Sequence, residues 1–179
     1  MEIVALESDH AEMVQSLASH HYPSAYALPY ETIVENLEKN DENSFCFGVE
    51  SEGKLVGYLM AWLDTTMVEG RREKVVLVDD IVLGNRARHQ LFRLLQAMIK
   101  EMRERGLRHL AIEGSARPSS GNTFMGHPEV LERLGYELTS TADYYDDDFD
   151  ETLTWVRYEP LEVGQTHIDE SDQLDIGFS

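Results

Sequence analysis

The amino-acid sequence predicts an α/β (α+β) fold, in which about four helices flank a mixed central sheet of about seven strands. Two patterns carry this prediction. Residues 44–50 alternate apolar and polar side chains, residues 54–63 are mostly apolar, and Glu52-Gly53 between them signals the tight turn of a β-hairpin. Residues 74–113 then read as a strand–turn–helix–strand unit, whose long helix has a regular apolar stripe.

The first third of the chain is predicted to contain one strand and two helices. Residues 2–6 have the composition of a short strand. Ser8 or Asp9 is positioned to cap the first helix, and Glu12 has the spacing to complete a capping box with Asp9. After a loop bounded by two prolines, the second helix at about residues 31–40 places three apolar side chains inward, namely Ile33, Val34 and Leu37.

The middle of the chain supplies the hairpin and the long helix. Residues 64–72 are polar and are predicted to turn the chain. Residues 74–83 are nearly all β-branched or Leu, which is typical of a strand buried on both faces, except at Asp79-Asp80. A helix is predicted from about residue 87 to 105, closed by Gly106, with its apolar stripe at Leu91, Leu94, Leu95, Met98, Ile99 and Met102.

The last elements are short. A strand is predicted at residues 107–113, followed by a loop rich in Gly and Ser. Pro128 is expected at the first position of a helix that Gly135 ends. Two final strands are predicted at residues 136–144 and 151–158.

The chain is strongly acidic, with 34 acidic and 15 basic residues among 179 and a formal net charge of −19. Residues 137–179 hold 13 of the acids against a single base, Arg157. Residues 86–108 instead hold seven bases and two acids. The overall charge argues against general nucleic-acid binding, whereas the basic segment is compatible with a phosphate-bearing ligand.

Length and composition predict one domain at residues 1–159 and an acidic C-terminal tail at residues 160–179. The single Cys46 excludes a disulfide framework, and the seven histidines lack metal-ligand spacing, so no metal is expected. No apolar run approaches the roughly 20 residues of a membrane span. Residues 1–7 do not resemble a signal peptide, and the expected location is therefore the cytoplasm.

Three local motifs, together with the element order, carry a family resemblance over about residues 1–158. They are Gly53-Lys54-Leu55-Val56-Gly57, Arg86-Ala87-Arg88-His89-Gln90-Leu91 and Leu131-Glu132-Arg133-Leu134-Gly135-Tyr136. At these places the GNAT superfamily of CoA-dependent N-acyltransferases has "G-x-L-V-G", the pyrophosphate loop "R-G-x-G-x-G/A" and "Y-E-K-L-G-F". The chain resembles this superfamily, and the resemblance implies a GNAT-like sheet whose fourth and fifth strands splay apart.

The resemblance also implies acetyl-CoA as co-substrate, held through its pyrophosphate by backbone N–H groups at a helix N-terminus. The residues so placed are Arg86, Ala87, Arg88, His89, Gln90 and Leu91. The glycines of the motif are replaced by Ala87, His89 and Leu91, and the apolar stripe favours an inward Leu91. The resemblance implies that the backbone N–H of Ile81, Val82 or Leu83 polarises the acyl carbonyl. It also implies that Asn122 contacts the pantetheine arm.

Many relatives use an acid on the fourth strand as the base, and this places Asp80, with Asp79 as the alternative, in that role. Strand alternation predicts that the two side chains lie on opposite faces of the sheet. The usual general acid of the family, a Tyr, is replaced by Leu131. Tyr145 is the candidate substitute, with Tyr136, Tyr144, Cys46 and a histidine left open.

The predicted function is therefore N-acetyl transfer from acetyl-CoA to a primary amine of a small molecule or a protein. Four acids at residues 144–150 favour a cationic amine acceptor as the partner; a homodimer is also left open. Two alternatives stand beside the enzyme: a catalytically inactive GNAT-fold binding or assembly protein, and an acidic interaction protein that binds a basic partner through residues 137–179.

Overall fold

The structure is a computed structural model, and it describes residues 1–22, 28–40, 42–117 and 127–161. Its helices are α1 (Ala11–His21), α2 (Tyr30–Glu38), α3 (Leu91–Glu104) and α4 (Pro128–Arg133). Its strands are β1 (Glu2–Ala5), β2 (Ser44–Ser51), β3 (Lys54–Val68), β4 (Arg71–Leu83), β5 (Ala111–Ala116), β6 (Tyr136–Asp146) and β7 (Glu151–Pro160).

The seven strands form one mixed sheet in the order β1-β2-β3-β4-β5-β7-β6. Only β4 and β5 run parallel; every other neighbouring pair is antiparallel. The long helix α3 connects the two parallel strands, as a parallel pair requires. The predicted fold class, a mixed sheet of seven strands with four helices, is confirmed.

The parallel strands separate after a short pairing. Val75–Val78 of β4 pair with Ala111–Gly114 of β5. Beyond Val78, β4 continues along β3, whereas β5 continues only along β7. Among the described residues no strand pairs with the outer edge of β4 after Val78, so the expected splay between the fourth and fifth strands is present.

Helices cover the sheet on both faces and divide the core in two. The apolar stripe of α3 packs on one face, together with α4 and with side chains of all the central strands. The helices α1 and α2 pack on the opposite face, over Cys46, Tyr58, Met60 and Val82. Burial of these two apolar surfaces is the main favourable contribution to folding.

One predicted turn is wrong. Residues 64–72, expected to turn the chain, instead extend β3 and β4 into a long hairpin arm that pairs in register from Asp64 to Val68. The turn itself is confined to Glu69 and Gly70, both with positive φ, as two-residue hairpin turns require. Thr and Val residues in the arm favour strand even where they are exposed.

Other boundaries move by a few residues. β5 begins at Ala111 rather than 107, because the Leu107 N–H donates to the Met102 carbonyl, 2.7 Å away, and closes α3 behind Gly106. The capping box at the start of α1 pairs Glu7 with His10, not Asp9 with Glu12, since a 3₁₀ turn at Ser8–His10 precedes the helix. The predicted tail, residues 160–179, lies outside the described residues from residue 162 onward.

Candidate active site

A β-bulge places both acids of β4 on the same face of the sheet. Met60 pairs with Asp80 and Ala61 pairs with Val78, so Asp79 is an extra residue in β4. Val78 and Ile81, on either side of the acids, both pack into the core beneath α3. Asp79 and Asp80 therefore both face the α1 and α2 side, and the expectation that they lie on opposite faces is wrong, because the inserted residue interrupts the strand alternation.

The Asp80 carboxylate is held by two tyrosines. Its Oδ1 accepts a hydrogen bond from the Tyr22 hydroxyl and its Oδ2 accepts one from the Tyr58 hydroxyl, each 2.5 Å long. Burial raises the pKa of Asp80, and the two hydroxyls oppose that rise because they stabilise the anion. Burial and the nearby Asp80 charge raise the pKa of both tyrosines, so both remain protonated donors.

Asp79 is the more accessible carboxyl of the pair. Its side chain is exposed, whereas Asp80 is only partly so. Desolvation by the surrounding protein, reinforced by the Asp80 charge, raises the pKa of Asp79 to about 7, and Arg117 opposes the rise. A carboxyl group that titrates near neutrality can both take up and release a proton at physiological pH.

The edge of β4 beyond the bulge presents backbone groups to the splay. The Gly84 N–H donates to the Val56 carbonyl at 2.9 Å, so this residue faces β3. Because backbone groups alternate along an antiparallel ladder, Val82 also faces β3, whereas Ile81 and Leu83 direct their N–H groups toward the opening. Of the three predicted carbonyl contacts, the register thus favours Ile81 and Leu83, and the Ile81 N–H also donates to the Asp80 carboxylate.

The turn that follows β4 presents charge at the N-terminus of α3. Arg86, Arg88 and His89 are exposed, and Arg88 donates to the Asn85 side chain at 3.2 Å. Residues 88–90 form a 3₁₀ turn that runs into α3, which begins at Leu91 rather than at 87. The N–H groups of Ala87 and Gln90 donate within the turn, to the Gly84 and Ala87 carbonyls at 2.8 Å. The first N–H groups of a helix that have no such partner form a natural site for anions.

Two of the three residues in the glycine positions leave the exposed side of this turn open. Ala87 is fully buried and Leu91 is 7% exposed, both within the core under α3. Gln90 is buried as well, and its side-chain oxygen accepts a bond from Arg93 at 2.8 Å. Since the Ala87 and Leu91 side chains point inward, neither crowds the exposed side of the turn, and only His89 stands there in place of a glycine.

Leu91→Ala is expected to lower the free energy of unfolding by about 2–3 kcal/mol, because it leaves a cavity in the core beneath α3. Affinity for acetyl-CoA should stay within about twofold, since the side chain faces away from the turn surface. Urea denaturation followed by circular dichroism measures the first and calorimetry the second. The exposed His89→Ala variant, expected to change stability by less than about 0.5 kcal/mol, is the control. A large loss of affinity at unchanged stability would place Leu91 on the ligand side.

Arg117 connects the end of β5 to the turn between β6 and β7. Its guanidinium pairs with Asp146 and with Glu151, each at 3.3 Å, and lies over the Phe149 ring at 5.1 Å. Its charge also reaches Asp79 and Tyr22. Arg117 therefore links the predicted acceptor loop to the acid pair of β4.

Two further residues predicted for the site are Tyr145 and Asn122. Tyr145 is 55% exposed on β6, and its hydroxyl donates to Asp150 across the β6–β7 turn. Asn122 lies outside the described residues. Of the open alternatives, Tyr136 is buried and donates to the Arg108 carbonyl at 3.1 Å, and Tyr144 is exposed.

Sequence reasoning missed Tyr22, Tyr58 and Arg117. Tyr22 and Tyr58 lie 58 and 22 residues from Asp80, and Arg117 lies 29 and 34 residues from its two acids. Only the β3–β4 register could have indicated Tyr58, because that register places it on the same face as the acids. No local pattern marks the other two.

In the described part of the chain, no three His, Cys, Asp or Glu side chains are grouped so that they could hold a metal ion. The helices described there are also too short or too polar for any of them to cross a membrane.

Comparisons with known proteins bear on the family and the fold. The model of the acetyltransferase (GNAT) family matches residues 11–119, more than half of the chain. No curated protein sequence matches significantly.

Three solved structures illustrate the likeness of fold. The ribosomal-protein-alanine N-acetyltransferase from Brucella melitensis is 17% identical, with 90% of this chain and 99% of that chain covered and a TM-score of 0.66. Diaminobutyrate acetyltransferase from Paenibacillus lautus, in complex with its substrate and coenzyme A, is 19% identical over 89% and 95%, with a TM-score of 0.60. The PaiA N-acetyltransferase from Thermoplasma acidophilum, in complex with coenzyme A, is 13% identical over 86% and 96%, with a TM-score of 0.56. At such identities these structures support the fold alone, and it is the family match over residues 11–119 that shows that this chain belongs to the GNAT family of acetyltransferases.

Proposed function

We propose that this protein is an N-acetyltransferase that transfers an acetyl group from acetyl-CoA to a primary amine of a cationic small molecule or protein. One observation carries the proposal: the open edge of β4 runs from a pair of carboxylates to the exposed, basic N-terminus of α3. Such an edge offers backbone donors to an acyl thioester, with a proton acceptor at one end and phosphate ligands at the other.

Different groups of the chain bind different parts of acetyl-CoA. Arg86, Arg88 and the first N–H groups of α3 hold the pyrophosphate. The N–H groups of Ile81 and Leu83 polarise the acyl carbonyl and stabilise the charge that develops on its oxygen. Asn122 stays the predicted contact of the pantetheine arm. Acetyl-CoA, when bound, supplies the activated acyl group.

The amine must lose a proton before it attacks, and the acid pair on β4 accepts it. Asp80, as base or through water, is the predicted acceptor, and Asp79 lies beside it on the same face. Tyr145 remains the predicted donor to the departing thiolate, with its hydroxyl bonded to Asp150. A thiolate also leaves without protonation, so turnover does not depend on that donor.

Charge at the β6–β7 turn supports a cationic acceptor. Asp143, Asp147, Asp148 and Asp150 are exposed there, and Arg117 balances only part of the charge of Asp146 and Glu151. A negative field at the mouth of a site raises the local concentration of cationic substrates.

Thermal unfolding with acetyl-CoA, with CoA and with ATP as a phosphate control tests the proposal. At 100 times its dissociation constant, acetyl-CoA should add about 2.7 kcal/mol of stability, which corresponds to about 5 to 10 °C in this size range. Thiol release in the presence of spermidine, lysine or an aminoglycoside then measures turnover. No stabilisation by either CoA ligand at millimolar concentration would overturn the proposal, and stabilisation without turnover on a broad amine panel would favour the inactive binding protein.

A further inference from the structure

The two carboxylates of β4 are held in different ways, although they are neighbours in sequence and share a face. We propose that Asp79 accepts the proton of the acceptor amine, and that Asp80, anchored by Tyr22 and Tyr58, is a positioning residue. This division of roles rests on the acetyl transfer proposed above.

The hydrogen bonds of Asp80 occupy both of its carboxylate oxygens. Each of its two oxygens accepts a tyrosine hydroxyl at 2.5 Å, one from the end of α1 and one from β3. A base must turn an oxygen toward the amine at hydrogen-bond distance. Both oxygens of Asp80 instead accept tyrosine hydroxyls, and the backbone N–H of Ile81 also stabilises its charge in place.

Asp79 differs from Asp80 in its exposure and in its hydrogen bonds. It is the extra residue of the bulge and follows directly after Val78, the last residue of β4 that pairs with β5. Its side chain is exposed, and none of the described hydrogen bonds or ion pairs engages its carboxyl group. Asp79 therefore stands where the two strands separate, next to the N–H groups that face the acyl carbonyl.

Groups on several elements set the charge around Asp79. Asp80 contributes a negative charge on β4, and Arg117 contributes a positive charge at the end of β5, where Asp146 and Glu151 share it. Tyr58 on β3 stays protonated because burial and Asp80 raise its pKa.

The remaining groups come from β2 and α1. Burial raises the pKa of Cys46 on β2 to about 12, so its thiol is neutral. His21 and Tyr22, from α1 and its end, interact with Asp80. Desolvation and the Asp80 charge dominate at Asp79 and raise its pKa to about 7, close to the value that suits a general base.

The proton balance of the step is simple. The ammonium group gives one proton to the Asp79 carboxylate, and the nitrogen lone pair forms the new C–N bond. The C–S bond then breaks, with its electron pair leaving on the thiolate. The second proton of the nitrogen passes to the thiolate or to solvent, and Asp79 returns its proton to solvent.

Two isosteric variants, Asp79→Asn and Asp80→Asn, separate the roles, with Asp64→Asn on the hairpin arm as the matched control. In the wild type, kcat/KM should rise with pH through an apparent pKa near 7. Asp79→Asn should lower kcat by about 10²-fold or more and remove this limb. Asp80→Asn should keep the limb but move it down by about one pH unit, because a neighbouring negative charge is lost.

Carbon-13 NMR of the side-chain carboxyl groups gives a readout that needs no acceptor. We expect one resonance that titrates near pH 7, absent in Asp79→Asn, shifted to lower pH in Asp80→Asn and unchanged in Asp64→Asn. If Asp80→Asn fails to fold, Tyr58→Phe replaces it: the loss of one donor should move the titration of Asp80 upward and leave the Asp79 limb in place.

The assignment of roles is overturned if the near-neutral titration or the kinetic limb survives in Asp79→Asn and disappears in Asp80→Asn. That result would leave the proposed acetyl transfer intact, with Asp80 as its base. Failure of the proposed function is a different observation, namely the lack of stabilisation by acetyl-CoA and CoA, and the NMR titration can be read in either case.

Discussion

Replacing both Arg86 and Arg88 by Ala is expected to weaken acetyl-CoA binding by about 100-fold or more. Hydrogen bonds to charged groups contribute about 1.5–3 kcal/mol each, so losing two costs about 3 kcal/mol or more, and about 2.7 kcal/mol is already a factor of 100. Both side chains are exposed at the N-terminus of α3, so the fold should be unaffected. Isothermal titration calorimetry with acetyl-CoA, at two salt concentrations, measures the change.

The hairpin arm offers a matched control. Arg71 and Arg72 are also exposed and close in sequence, and their replacement by Ala changes the net charge by the same amount at the opposite end of β4 from the turn that precedes α3. We expect the Arg71→Ala/Arg72→Ala protein to bind acetyl-CoA within about twofold of the wild type. Equal losses in the two double variants would mean that only overall charge matters, and would remove the turn after β4 from the binding site.

Replacing Arg157 by Met is expected to lower the free energy of unfolding by about 3 kcal/mol. Arg157 on β7 donates to Glu113, Glu73 and Glu159 at 2.7, 2.9 and 2.9 Å. The Glu113 side chain is only 2% exposed, with Trp155 as its other donor at 3.0 Å. Removing the cation leaves a buried carboxylate without its ion-pair partner, which is among the most destabilising changes in a folded protein.

A second variant separates lost charge from lost packing. Arg157→Met/Glu113→Gln removes the buried anion as well, and should recover most of the stability lost in Arg157→Met. Urea denaturation of the wild type, of Arg157→Met and of the double variant measures the three free energies of unfolding. A double variant no more stable than the single one would contradict this account of the network.

Features with a local cause were predictable. The stripe from Leu91 to Met102 predicted a helix that α3 confirms, because its period of 3.6 residues is written directly in the chain. Gly106 ends that helix with a positive φ, and Gly135 does the same after α4. The mixed sheet and its splay also followed from the element order and its resemblance to the family, since few topologies accommodate that element order.

Features that depend on strand pairing could not be predicted from local sequence patterns. The arm at residues 64–72 looks like a loop because its side chains are polar, yet its backbone pairs across the Glu69-Gly70 turn. An arm with both faces exposed carries no hydrophobic alternation, so composition alone cannot distinguish it from a loop.

The two acids of β4 show which properties of the site could be predicted from the sequence and which depend on the fold. The chain places two carboxylates in an otherwise apolar strand, and desolvation of such groups follows from that setting alone. Which face they share depends on one extra residue opposite Met60 and Ala61, a property of strand register. Which of them is anchored depends on Tyr22 and Tyr58, brought to Asp80 by a helix end and a neighbouring strand.

The charge of the chain likewise has properties that the sequence shows and properties that depend on the fold. That the charge concentrates after residue 136, with a basic segment at 86–108, could be counted from the residues. That Arg117 and Arg157 each gather acids from distant strands required the folded sheet. Local patterns thus set the elements and the types of charged group, because they depend on neighbours along the chain. Tertiary packing alone decided which carboxylates are paired, anchored or exposed, because those properties depend on neighbours in space.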